Sequence, residues 1–107
     1  MQAPVLSLRH YGASPGSHSH GYFQVLLGLS GTLELEVDGR GQRVVSGGGC
    51  VIEPGARHDF ASPQGSQCLV LDSADPGWAR CIALAPWTSH TLPLARYLAT
   101  ALQQGSG

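Results

Sequence analysis

The chain has 107 residues, of which 42% are hydrophobic and only 12% charged, and its six basic residues, all arginine, nearly balance seven acidic ones for a net charge of −1. That length suits one domain with a real core, and the near-neutral charge leaves no electrostatic footprint for nucleic acid or an anionic membrane surface, so the chain is expected not to bind DNA by itself. No apolar run approaches the roughly 18 residues that span a bilayer, the N-terminus lacks the basic and apolar regions of a signal peptide, and three cysteines with no CxxC spacing argue against a disulfide framework or a zinc ribbon and for a reducing cytoplasm.

With 15 glycines and 7 prolines, turns must be frequent and long helices few. Residues 5–11 alternate loosely and read as an edge strand, followed by a loop over 12–17. Residues 22–29 are β-prone and apolar on both faces, as a central strand would be, and Ser30-Gly31 breaks them. Residues 32–37 form the clearest strand, with Leu33, Leu35 and Val37 on one face and Glu34 and Glu36 on the other. Asp38-Gly39 marks a hairpin turn, because both residues tolerate positive φ. The return strand over 42–45 leads to the turn 46–49 and to a short buried strand, 50–52, ended by Pro54. Residues 58–61 and 67–72 are the last two strands, split by Ser62-Pro63-Gln64-Gly65. Strands this short, at this turn spacing, predict a sandwich or barrel. Residues 73–87 are irregular. Thr91 then caps the one convincing helix, near 91–104, with Leu94, Leu98 and Leu102 in a single stripe and Gly105 to end it. The division expected is a barrel over 1–88 and a helix with a tail over 89–107.

His18 and His20 stand two apart, so on a strand both rings point to one face, and Gln24 shares their parity unless Gly21 hosts a bulge. His58 follows a proline-glycine turn. Three imidazoles converging in a small barrel make a site for Zn, Ni, Fe, Cu or Mn; the plain alternative is surface or hydrogen-bonded histidines. Arg57, next to His58, reads first as a surface arginine and otherwise as a candidate partner for a ligand carboxylate. His10 and His90 read as solvent-facing, Trp78 and Trp87 as loop anchors, and the cysteines as small core apolar residues.

Gly12, five residues, His18-Ser19-His20, three residues, Gln24, six residues and Gly31 reproduce a spaced motif. A second runs from Gly47 over five residues to Glu53-Pro54-Gly55-Ala56-Arg57-His58, then three residues to Ser62. In both, the chain resembles the cupin superfamily, with Gln24 where cupins usually carry Glu, Glu53 in place of a proline and Ser62 in place of an asparagine. The resemblance implies an all-β fold: a small, jelly-roll-like antiparallel β-barrel with one C-terminal α-helix. It also implies His18, His20, Gln24 and His58 as the ligands of one divalent ion. Gln24 offers only a neutral carbonyl oxygen, so these ligands leave the ion's charge uncompensated, which favours Zn, Ni or Cu over harder ions. Gly31, Gly47 and Gly55 are the expected corners with positive φ.

Residues 18–72 further resemble the N-terminal cupin of AraC-type transcription regulators. The carriers are the His-rich start, Gln24, Leu29-Ser30-Gly31, the hairpin 33–39, Pro54-Gly55 with His58, and Leu69-Val70-Leu71-Asp72. That resemblance implies a cytoplasmic domain sensing a small, partly apolar effector through His18, His20, Gln24, Arg57 and His58. The leucine-striped helix would serve dimerisation, and the DNA-reading part would lie outside this chain. Tyr97 and Ala101 widen the helix's apolar face, so a two-fold homodimer is expected. The competing reading is a stand-alone metal-dependent cupin enzyme, a dioxygenase or isomerase, which would use the same three histidines around an open coordination position.

Overall fold

A computed structural model describes residues 4–13, 16–79 and 100–103. Seven strands follow in chain order: β1 (Val5–Tyr11), β2 (Phe23–Gly31), β3 (Leu33–Val37), β4 (Arg40–Val44), β5 (Gly49–Ile52), β6 (His58–Ala61) and β7 (Ser66–Ser73). They form two antiparallel sheets, one ordered β1-β7-β2-β5 and the other β4-β3-β6. The all-β expectation holds, as do the edge position of β1 and the central position of β2.

Alternation assigns the faces. In the three-stranded sheet, Leu33, Leu35, Val44 and Phe60 point inward and are buried, while Glu34 pairs across strands with Arg43 on the solvent side at 2.9 Å. Leu26, Ile52, Cys68 and Val70 come from the inner face of the four-stranded sheet and complete one core cluster between the layers. Burying each large aliphatic side chain there contributes about 1.5–3 kcal/mol. Cys68 is a core residue, as expected, and Cys50 is half-buried against the same cluster.

The outer face of the four-stranded sheet is apolar as well, because β2 and β7 carry apolar residues on both sides. Leu29 and Leu69 are buried there with Leu6, Leu8, Leu27 and Leu102 packed around them. Residues 100–103 are helical, so Leu102 of the expected helix lies against this sheet. The rest of that helix, with Leu94 and Leu98, lies outside the described residues, as do Trp87, His90 and the expected boundary at 88/89. Trp78 is half-buried in a short 3₁₀ turn.

Asp38 (φ 49°) and Gly39 (φ 82°) both have positive φ, which matches the twist of the β3–β4 hairpin. Gly31, Gly47 and Gly55 also have positive φ, as anticipated. No bulge forms at Gly21, where the chain only bends. The irregularity in β2 comes later, between Gly28 and Ser30 in its pairing with β7. Gly28 has a separate steric role: a Cβ there would lie 2.1 Å from the Val45 carbonyl oxygen, so the absence of a side chain is what lets the 45–48 turn close onto β2.

Candidate functional site

The site lies at one end of the space between the sheets. His58 opens β6 opposite Val37, and its backbone exchanges two hydrogen bonds with His18, each 2.9 Å, forming an isolated antiparallel bridge. His18 therefore takes its place from this bridge and not from the start of β2. His20 is held by its carbonyl, which accepts from Gly55 N at 2.7 Å, and by stacking on Tyr22 at 4.9 Å and 6°. The second motif's Pro-Gly turn thus grips the first motif directly.

The three imidazoles converge. Ring centroids are 4.4 Å apart for His18–His58, 4.9 Å for His20–His58 and 5.0 Å for His18–His20. One nitrogen from each lies within 4.8 Å of the others. Phe60 packs edgewise against His18 and at a tilt against His58, and Tyr11 packs against Phe60. Aromatic walls therefore fix the ring orientations.

The hydrogen bonds also select tautomers. His58 Nδ1 lies 3.0 Å from the Ala56 carbonyl and His18 Nδ1 lies 3.3 Å from the Gly16 carbonyl. A carbonyl oxygen only accepts, so each Nδ1 carries a proton, and in the neutral ring Nε2 then keeps the lone pair. His58 Nε2 is buried without a hydrogen-bond partner, the kind of orphan that signals a missing ligand. Burial holds the His58 pKa below the ordinary 6.5, against a smaller opposing effect of the Ala56 carbonyl. Burial, then the neighbouring His58 and His18, do the same for His20, opposed by Asp72. Neutral imidazoles with free Nε2 atoms are the form that binds a metal. On this donor chemistry the three histidines fit a divalent cation.

Gln24 is buried on the inner face and stands directly opposite Asp72 of β7. Its Nε2 donates to Asp72 Oδ1 at 3.0 Å, while its Oε1 is buried with no partner. Asp72 Oδ2 pairs with Arg9 at 3.0 Å, and Arg9 Nε donates to Ser7 Oγ at 3.1 Å. The Tyr11 hydroxyl, close to Arg9, is buried, and burial pushes its pKa up to about 12. Arg57 is exposed, and its backbone is tied to Asp38: Arg57 N donates to Asp38 Oδ1 at 3.0 Å and Asp38 N to Arg57 O at 2.8 Å. His10 is exposed, as expected.

Sequence reasoning missed Arg9, Tyr11, Phe60 and Asp72. Asp72 and Gln24 become neighbours only through the β2–β7 register, and Arg9 reaches Asp72 along the inner face of β1. No spacing within one segment signals either contact.

The profile of the cupin domain family matches residues 7–73. An uncharacterized HTH-type transcriptional regulator of Bacillus subtilis (strain 168), YobQ, is 35% identical over 72 residues. That alignment takes in 67% of this chain but only 30% of the regulator, so the chain spans under a third of that relative's length. Among solved structures, a conserved protein of unknown function from Streptococcus pyogenes superimposes with a TM-score of 0.63 at 23% identity, over 70% of this chain and 68% of that one. A cupin-2 domain containing protein from Shewanella frigidimarina NCIMB 400 gives 0.63 at 18% identity, over 68% and 72% respectively. At these identities the structural likeness shows the fold alone.

Proposed function

The chain belongs to the cupin domain family, and from that premise we propose that it is the effector-sensing and dimerising cupin of an AraC-type transcription regulator, with one divalent ion, Zn, Ni or Cu in preference to Fe or Mn, held by His18, His20, His58 and Gln24. The observation that carries the site is the convergence of three imidazoles on a buried, unpartnered His58 Nε2. The likeness to a regulator described as HTH-type supports the sensing role. The net charge of −1 agrees with it, since DNA contacts would fall outside this chain. Among the described residues no helix is long and apolar enough to cross a membrane, which accords with a cytoplasmic sensor.

A bound divalent ion would supply a positive centre that orients an effector's oxygen or nitrogen donor. The chain's own residues do the rest. Phe60 and Tyr11 shape an aromatic wall suited to a small, partly apolar molecule, and Arg57 at the exposed rim is the candidate contact for an effector carboxylate. Calorimetric titration with zinc and nickel tests the site: one ion per chain is expected for the wild type, and none for His20→Ala or His58→Ala. Equal binding by wild type and both variants would place the ion elsewhere. Sedimentation equilibrium tests association, with a two-fold homodimer expected and a monomer mass of 11.2 kDa as the opposing result.

A further inference from the structure

Gln24 is the weak member of the proposed ligand set, because a neutral amide brings no charge to a dication. The residues around it address that weakness. Opposite Gln24 in the β2–β7 register stands Asp72, and the two side chains bond Nε2 to Oδ1 at 3.0 Å. An amide has two ends of nearly equal shape, so its orientation is decided by its partner. Asp72, in an ion pair with Arg9, has only acceptors to offer. It must therefore face the Gln24 NH₂ group, and the amide oxygen is turned to the other side, where it is buried and unpartnered. A hydrogen bond to a carboxylate also polarises the amide and increases the negative charge on its oxygen. Asp72 further acts electrostatically on His20, which puts its charge within reach of the imidazole cluster.

We propose that Asp72 is the positioning residue of the site: it fixes the Gln24 amide with Oε1 as the donor and supplies, one hydrogen bond removed, the negative charge that a ligating carboxylate would have carried. This rests on the reading that the three imidazoles hold a divalent ion. Arg9 then has a definite role. Its ion pair with Asp72 offsets part of that charge and sets how much of it a cation in the cluster feels.

Zinc titration of the 107-residue chain by calorimetry, with urea unfolding of the metal-free variants alongside, tests the proposal through two substitutions of opposite sign. Asp72→Asn keeps an acceptor for Gln24 and removes the charge; zinc affinity should fall about 10- to 100-fold, the usual cost of losing an outer-shell partner. Arg9→Gln leaves the Asp72 charge unopposed; zinc affinity should rise several-fold even though an ion pair of the fold has been lost. A merely structural role for the Arg9–Asp72 pair weakens binding in both variants, and that result, or unchanged affinity in either, overturns the proposal. Should Asp72→Asn fail to fold, the sign of the Arg9→Gln effect decides alone. Absence of zinc binding by the wild type overturns the metal reading itself, and this proposal with it; tight wild-type binding with an unresponsive Asp72→Asn overturns only the role of Asp72.

Discussion

Gly28→Ala should destabilise this domain far more than Gly41→Ala, and the size of the effect follows from the contacts of Gly28 with residues 44–48. The new Cβ would sit 2.1 Å from the Val45 carbonyl oxygen and 2.8 Å from its carbon, with Val44 Cγ1 at 3.2 Å. Real Cβ contacts stay beyond 3.0 Å, so the 45–48 turn must retreat by about 1 Å, and the obstacle is backbone that no rotamer change relieves. That turn is held to β2 by Gly28 N donating to Gly48 O at 2.9 Å and Gly47 N donating to Gly28 O at 3.0 Å. Overpacking costs about 1–3 kcal/mol, and stretching two backbone bonds adds about 1 kcal/mol each, so a loss of about 3–5 kcal/mol is expected. Urea denaturation reads this as a midpoint lower by roughly 1.5–2.5 M at a slope near 2 kcal/mol/M. Gly41→Ala on β4 is the control, since nothing lies within 4 Å of its Cβ position; its midpoint should stay level or rise slightly. Because the turn leads into β5, and Ile52 of β5 pairs with Gln24, zinc affinity should weaken as well. A Gly28→Ala midpoint no lower than that of Gly41→Ala would refute the close-approach argument.

Phe60→Ala should cost about 3–5 kcal/mol by calorimetry, as for other buried aromatic truncations, and should weaken zinc binding too, since Phe60 packs on both His18 and His58. The metal-free domain should lose stability on acidification below about pH 6.5: His20 and His58 are held below that value in the folded state, so the unfolded chain takes up protons first and gains on the folded one as pH falls. Urea midpoints in EDTA at pH 7.5 and 5.5 measure this, and an unchanged or higher midpoint at the lower pH contradicts it. In a Cys50→Ser, Cys81→Ser background, the buried Cys68, whose thiol burial pushes up to about 11, should react with a disulfide reagent at pH 8 only at the rate of unfolding; fast stoichiometric labelling of the folded chain opposes this.

The strand inventory was legible because the chain announces it twice, by alternation in Leu33-Glu34-Leu35-Glu36-Val37 and by turn chemistry at Asp38-Gly39. Strand ends moved by one or two residues, most visibly in β4, which begins at Arg40 where the sequence suggested residue 42. Its first four residues, Arg-Gly-Gln-Arg, are exposed and polar and carry no hydrophobic signal; they are a strand because the tight turn hands them to β3. The three histidines were legible through local spacing. Their supports were not: the Asp72 contact with Gln24 depends on which strands become neighbours, and the tautomers of His18 and His58 depend on carbonyls two residues away, Gly16 and Ala56, whose orientation only the folded backbone sets. Gln24 is where parity succeeded for an unforeseen reason, since its face is set by pairing within β2 and not by continuity with His18 and His20.

The irregularity between Gly28 and Ser30 governs how the chain tolerates insertions and deletions. Before it, β2 pairs with β7 in one register from Phe23↔Ser73 to Gly28↔Cys68; beyond it, Ser30 meets Gln67, one residue out of step. Side chains alternate faces, so a residue inserted between Gln24 and Leu26 would turn Gln24 away from Asp72 in the same stroke that it drew Phe23 toward the core space. The core and the site share one register, and a single length change there damages both. The segment after Gly28 already accommodates an extra residue, and the chain turns sharply at Gly31, where φ is 70°. Length variation among related domains should therefore gather at the end of β2 and in the 46–48 and 62–65 turns, while the stretch from Phe23 to Gly28 keeps its count.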